Sequence, residues 1–301
     1  MRSLRQLLMA VVYVLPVAGM AQPSGYATVF DRLARVDLTT AQATDIGPIG
    51  YSDVEGLAFS PDGMLYGAAD LGLSSGASQT DLLLRIDPAT GQGTLVGPLS
   101  GLAGLGPGGN LDYGLAFTCD GRLWLSSDTT DQLWEVSPAT GSTRLVGSTG
   151  AAITGLAGRG NVLYGIGVGT QKNLYRIDLV TGAAILIGPL GIAESLSSGG
   201  ADFDAAGQLW ATLDSQPPDV SFPSRLARID PVTGAATIVA PIAGLPDSVS
   251  ARGFAIGPPG GCSVGTVRVT TIPSTSDLGL GLLAALIALL AWPALRRHAG
   301  G

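Results

Sequence analysis

The sequence predicts an all-β fold, a five-bladed β-propeller, on three observations. One motif recurs five times, each copy sits in a unit of four short strand-like segments, and the two ends of the repeat region lack complementary parts. The motif reads "RIDPATGQGTLVGPL" at 85–99, "RIDLVTGAAILIGPL" at 176 and "RIDPVTGAATIVAPI" at 228, with weaker copies at 35 ("RVDLTTAQATDIGPI") and 135 ("EVSPATGSTRLVGST").

Each copy closes a unit such as "VEGLAFSPDG", "MLYGAAD", "LLLRIDPATG" and "GTLVGPL" from residue 54. Every part is apolar or alternating for four to six residues and ends in a turn signal. Pro-Asp-Gly and Asp-Pro-Ala-Thr-Gly supply the Pro and Asp of a type I turn and a glycine for the left-handed position after it. Four hairpin-linked strands recurring every 41 to 52 residues are the pattern of a propeller blade.

Within each unit the inner (A) strands are expected at Val54–Phe59, Tyr113–Phe117, Ile153–Ala157, Gly200–Phe203 and Arg252–Ile256. The B strands follow with a Leu-aromatic pair: Leu65-Tyr66, Leu123-Trp124, Leu163-Tyr164 and Leu209-Trp210. The N-terminus carries "YATVFD", "LARVD" and "TDIG" without an A strand, and the C-terminal "RGFAIGP" is an A strand without B, C or D. Joining them makes a fifth blade that closes the ring. An open solenoid has no use for such ends. The repeated aromatics are read as core between blades, since large rings bury the most area on a strand packed on both faces.

This topology puts the tight A–B and C–D turns on one face and the B–C and D–A connections on the other. The irregular inserts 70–81, 100–112, 214–224 and 243–251 all fall on the second set, as binding loops do on a rigid scaffold. Acids gather there too. Asp70, Asp128 and Asp214 end B strands, where capping a turn is the simpler reading. Glu55, Asp112 and Asp202 come from three different inner strands and are the candidate oxygen ligands for Ca²⁺, with Arg252 the competing partner.

Composition narrows the function. Four of the 16 basic residues (Arg2, Arg5, Arg296, Arg297) but only one of the 23 acids (Asp277) lie in the terminal segments, so the body is more acidic than the chain's −7. Such a surface repels phosphate backbones and argues against nucleic acid as a partner. The single histidine is His298, near the C-terminus, which removes Ser-His-Asp chemistry and His-ligated metals from the body. Two cysteines, Cys119 and Cys262, are expected to form one disulfide that ties down the closing strand.

The ends read as targeting segments. Residues 1–21 have two arginines, an apolar run and small residues at Gly19 and Ala21, a secretory signal peptide cleaved before Gln22. The propeller is assigned to 22–258, a linker to 259–271 and a sorting segment to 272–301. Leu278 to Leu295 carries no charge and precedes Arg296 and Arg297, so it is read as a transmembrane helix with its basic tail in the cytoplasm. "IPSTSDLG" just before it resembles the IPTL-CTERM signal, close kin of PEP-CTERM, through Ile272, Pro273, Ser276, Asp277 and Gly279. Ser274, Thr275 and Leu278 depart from that pattern. The resemblance implies processing by an exosortase-type membrane enzyme in a Gram-negative bacterium, with surface display or release; a plain C-terminal anchor is the alternative.

The inner hairpin, an apolar strand followed by Pro-Asp-Gly, Leu-Tyr and Asp, resembles that of NHL and other six-bladed propellers. That likeness supports the fold and leaves activity open. "VEGLAF" and "GGNLDYGLAF" resemble the metal-binding strands of gluconolactonase-type propellers, which implies Glu55, Asn110, Asp112 and Asp202 as candidates around a divalent ion; Leu57 replaces that family's proline. The expectation is an exported, non-catalytic propeller of the cell envelope binding a protein or glycan. The alternative is a Ca²⁺-dependent lactone or ester hydrolase.

Overall fold

The computed structural model describes residues 23–70, 81–102, 111–215, 224–245 and 250–262, which form strands and their connections. The segments expected to be a signal peptide (1–21), a sorting motif (272–279) and a transmembrane helix (278–295) lie outside the described residues. Among those described, no helix is long and apolar enough to cross a membrane.

Five antiparallel sheets make the body. The closing blade, blade 1, orders β21 (Phe254–Ala255), β1 (Ser24–Val29), β2 (Arg32–Asp37) and β3 (Ala43–Pro48) from inside outward, joining both ends of the body. Blade 2 is β4 (Val54–Phe59), β5 (Leu65–Ala69), β6 (Leu82–Ile86) and β7 (Gly93–Pro98). Blade 3 is β8 (Tyr113–Phe117), β9 (Leu123–Ser127), β10 (Gln132–Val136) and β11 (Thr143–Ser148). Blade 4 is β12 (Ile153–Arg159), β13 (Val162–Gly167), β14 (Asn173–Ile177) and β15 (Ala184–Pro189).

Blade 5 departs from the expected plan. Its inner strand is split into β16 (Leu196–Ser198) and β17 (Ala201–Phe203), both paired with β18 (Leu209–Ser215), and β19 (Arg225–Ile229) and β20 (Ala236–Pro241) follow. The interruption is Gly199-Gly200, where a Cβ would lie 2.5 Å from the Thr212 carbonyl oxygen and 2.4 Å from the Phe254 nitrogen respectively. The closing strand is also shorter than the sequence suggests, with only two ladder pairs, Tyr26↔Ala255 and Ala27↔Phe254.

The repeated motif has a local and a ring-wide job. Locally, the Asp of "RID" accepts backbone N–H bonds from the turn it opens, as Asp37 does from Thr39 and Thr40 and Asp178 from Val180 and Thr181. These bonds, the Thr40 amide first, hold the Asp37 carboxyl below the usual range. Around the ring, the glycine of "VGP" seats the next blade's Thr-Gly turn. A Cβ on Gly47, Gly97, Gly147 or Gly188 would stand 2.0–2.5 Å from the carbonyl oxygen of Thr90, Thr140, Thr181 or Thr233. The repeat recurs because every blade is both seat and guest. At the seam between blades 5 and 1 the pattern changes: Ala240 stands in the glycine's place and Ala41, at φ 58°, in the turn. There Ala43 donates its amide to Ala243 O at 2.7 Å.

Among the B-strand aromatics Tyr66, Trp124 and Trp210 are buried in the core, and Tyr26 and Tyr164 pack against it partly buried. Tyr26, Tyr66 and Tyr164 pack on Phe59, Phe117 and Phe203 of the following blade with ring centroids 5.1–5.5 Å apart. Each aromatic also faces the "RID" arginine across its own sheet, and Arg35, Arg85 and Arg228 lie 5.5–5.8 Å from the ring centres of Tyr26, Tyr66 and Trp210. In blade 3 the arginine is replaced by Glu135, and Arg122 from the preceding turn covers Trp124 at 4.6 Å instead.

Candidate functional site at the loop-bearing channel mouth

Five inner-strand glycines set the width of the channel. A Cβ on Gly56, Gly114, Gly155, Gly200 or Gly253 would fall 2.3–2.9 Å from an atom of the neighbouring inner strand. The strands therefore close on one another, and the cavities left along the axis hold about 10 Å³, a single water at most. These spaces are too small for a substrate, and the mouths are the candidate sites on the axis.

At the loop-bearing mouth the residues just before those glycines are Glu55, Tyr113, Thr154, Gly199 and Arg252. Arg252 occupies the centre. Its guanidinium donates to Glu55 Oε1, stands 3.3 Å from Asp112 Oδ1 and 3.5 Å from Asp53 Oδ1, and is half-buried. The second Glu55 oxygen accepts the Tyr113 amide at 3.0 Å. Burial alone lowers the affinity of Arg252 for its proton; the charges of Glu55, Asp53 and Asp112 more than reverse this, and the guanidinium stays charged. Glu55 is held well above the usual carboxylate range, by its burial and then by the charge of Asp112. Asp53 is pushed up to about 6, also by burial. It is fully buried, sits at φ 53°, and neither of its oxygens makes a hydrogen bond.

A second layer holds the bases of the insert loops. Asp70 accepts the Leu111 amide at 3.0 Å, so it secures the entrance to the next blade. Asp81 accepts the Tyr113 hydroxyl, and burial followed by that negative charge raises the Tyr113 pKa far above the usual tyrosine value. In blade 5 the equivalent Asp214 accepts from Ser224, whose oxygen in turn accepts the Ala251 amide at 2.7 Å. Asp214 is raised to about 6 and Asp128, the blade 3 equivalent, to about 7, burial leading in both. Acids dominate this end of the body: Asp31, Asp53, Glu55, Asp70, Asp81, Asp112, Asp128, Asp131, Glu194 and Asp214 stand against Arg32, Lys172, Arg225 and Arg252.

The three residues expected to share Ca²⁺ are not brought together. Glu55 and Asp112 meet around Arg252, while Asp202 lies at the opposite mouth, beside Leu57, Phe117 and Pro259. The register explains this. "GADF" of blade 5 aligns with "GLAF" of blades 2 and 3, so Asp202 takes the place of Ala58 and Ala116, beyond the ring glycine. Its oxygens accept the amides of Phe203 (2.8 Å), Ile256 (2.7 Å) and Gly257 (3.4 Å), and burial pushes it up to about 7. Among the described residues no group of three acids, histidines or cysteines has metal-site geometry. The donor set does not fit an oxygen cage, because a guanidinium holds the point where two of its members converge. Asn110 and the insert residues 71–80, 103–110, 216–223 and 246–249 lie outside the described residues.

The plain mouth carries the disulfide. Cys119 and Cys262 are bonded across 143 residues with their Cα atoms 5.2 Å apart, in agreement with the pairing expected from the sequence. Residues 259–262, read from the sequence as the start of a linker, pack on the body: Gly260 bridges Arg159 and accepts the Gly160 amide at 2.8 Å.

Larger hollows lie on the outer flanks of blades 2 and 3. One of about 400 Å³ is bordered by Met64, Arg85 and Gln92, the other of about 300 Å³ by Arg122, Glu135 and Ser142. They occupy equivalent places between the A–B and C–D turns, so they are a product of blade geometry.

Comparison with known proteins gives a family but no activity. The sequence model of a family described as "Repeat of unknown function (DUF6923)" matches residues 25–216. No curated protein matches the chain in sequence. Among solved structures the chain is similar to a structural genomics protein of unknown function from Bacteroides thetaiotaomicron VPI-5482, with 16% identity and a TM-score of 0.42. That match covers 62% of this chain and 43% of the other, so the chain spans less than half of that protein. It is also similar to a chain of a nidogen/laminin complex, with 14% identity, a TM-score of 0.49 and coverage of 73% and 78%.

Proposed function

The chain belongs to the DUF6923 repeat family, a β-propeller built from a repeat of unknown function; from that premise we propose that it is an exported cell-envelope binding module without catalytic activity. It takes a protein or glycan partner on the acidic, loop-bearing face. The observation that carries this reading is the placement of the exits from the body. Residue 23, whose carbonyl accepts the Leu38 amide beside a C–D turn, and Cys262 both lie on the plain face. A body held through either terminus would present its insert loops away from the attachment.

In this proposal residues 1–21 are removed on export. The segment around Ile272, Pro273, Ser276, Asp277 and Gly279 directs processing by an exosortase-type enzyme, and Leu278–Leu295 with Arg296 and Arg297 anchors the chain in the membrane beforehand. Intact-mass measurement on envelope and released fractions tests it. The expected species begins at Gln22 and ends before the apolar segment. An exported species that retains Arg296 and Arg297 leaves only the plain anchor.

Calcium-dependent lactone or ester hydrolysis ranks second. The Arg252 guanidinium lies between the carboxylates that such an ion needs, and Asp202 is engaged at the far mouth. Assay of a lactone and ester panel with and without chelator separates the readings. Binding without turnover is expected, and metal-dependent turnover lost in Glu55→Gln would overturn the preferred function.

A further inference from the structure

We propose that residues 256–262 form a strap that carries a pull on the chain beyond Cys262 into blade 3 and so shields the closing strand. The inference rests on the reading above that the C-terminal segment tethers the propeller, and it goes beyond that reading by naming how the body withstands the tether.

β21 is the weak point of the ring. Its ladder with β1 is two residue pairs long and is extended by the Thr28 N–H to Gly253 O and Arg252 N–H to Thr28 O bonds, both 3.0 Å, whereas β8 and β9 of blade 3 pair along five residues, Tyr113↔Ser127 to Phe117↔Leu123. A pull arriving at Ala255 would strip this short antiparallel strand from blade 1 and open the ring. Between Ala255 and the exit, however, the chain is caught by three other blades in turn. Asp202 of blade 5, buried at the plain mouth, accepts the Ile256 and Gly257 amides. In blade 4, Gly260 bridges Arg159 and accepts the Gly160 amide. Cys262 is then bonded covalently to Cys119 in the A–B turn of blade 3, and the Cys119 amide donates to Gly160 O at 2.8 Å. Load entering at Cys262 therefore passes into the β8–β9 hairpin before it reaches Phe254 and Ala255. A cross-link that served only global stability would have no need for the strap to be seated on every blade it passes.

Optical-trap pulling of the full-length chain in detergent tests this, with non-thiol handles at Phe30, an exposed turn of blade 1, and at the C-terminus. In a Cys119→Ser, Cys262→Ser double variant the strap and β21 should peel first, as an extra low-force step of roughly 30 Å for nine residues. The intact protein should lack that step. If the variant does not fold, folded wild type treated in the trap with a dithiol, which is oxidised as the Cys119–Cys262 bond takes up two electrons and two protons, gives the same comparison. An early step in the intact, oxidised protein, or none after the bond is removed, overturns the strap. Neither result depends on whether the chain is processed or membrane-attached, which the mass measurement decides separately.

Discussion

Arg252 is the residue on which the loop-bearing mouth depends, because it is the cation among Asp53, Glu55 and Asp112. Removing one partner of a buried ion cluster leaves uncompensated charge, which costs about 3–5 kcal/mol for a pair out of water and less where solvent reaches it. Arg252→Met is therefore expected to lower stability by on the order of 3 kcal/mol near pH 8. The loss should shrink near pH 5, where Asp53 and Glu55 can take up protons. Urea titrations at both pH values measure it, and an equal loss at each would show that the acids do not carry the effect.

A wider pH dependence follows from the same burial. Asp53, Asp128, Asp202 and Asp214 have folded pKa values of about 6 to 7 against 3.8 when unfolded, and Glu55 is raised as well. Between about pH 4 and 7 the folded state binds more protons than the unfolded state, so stability falls as pH rises through that window. Asp45, lowered by its hydrogen bond to Arg32, acts in the opposite sense, with stability present above its unfolded pKa and lost below it. The urea midpoint should be higher at pH 5 than at pH 7.5. Asp202→Asn should flatten that slope, since the amide oxygen still accepts the Ile256 N–H without titrating. A midpoint that rises toward pH 7.5 would contradict this assignment of the buried acids.

Among the elements, the outer strand and its neighbour's turn form the recurring joint. A methyl group on Gly147 would sit 2.0 Å from Thr181 O, a backbone atom that cannot swing aside, whereas one on Gly257 meets nothing within 4 Å. Gly147→Ala should cost about 1–3 kcal/mol or more by overpacking, and Gly257→Ala close to nothing. Thermal melting of the two variants side by side checks the seat.

This joint also shows what could be read beforehand. The blades were legible because "DPATG" and "PDG" are local turn chemistry and recur at a fixed spacing, and the closing blade was legible from its missing parts. The site was less so. Which acids meet depends on register across neighbouring strands, and that is set by the close glycine contacts around the channel. The signal that Asp202 belongs to the far mouth was present in "GADF", which lines up with "GLAF". The burial of Asp53 had no such marker, since its left-handed turn and missing hydrogen bonds exist only in the folded chain.

For the whole molecule, the disulfide is the long-range constraint. Closing a loop of 143 residues removes unfolded-state entropy worth roughly 4–5 kcal/mol, strain aside. Reduction, or the Cys119→Ser, Cys262→Ser variant, should lower the melting temperature by several degrees while the far-ultraviolet spectrum of the folded protein stays unchanged. An unaltered melting temperature would mean that the native ring gains nothing from the bond.

The split blade has a consequence for how the protein is made. Of the described strands β1, β2 and β3 are made first, and the strand that covers the inner edge of β1 begins at Phe254. Until that residue arrives, β1 shows a row of unpaired N–H and C=O groups, an edge open to any passing strand. Four blades can assemble as the chain emerges, but the first-made sheet stays unfinished for more than 200 residues. Closure of the ring thus waits for β21, and a chain cut short before Phe254 would carry a bare edge that invites pairing with its own copies.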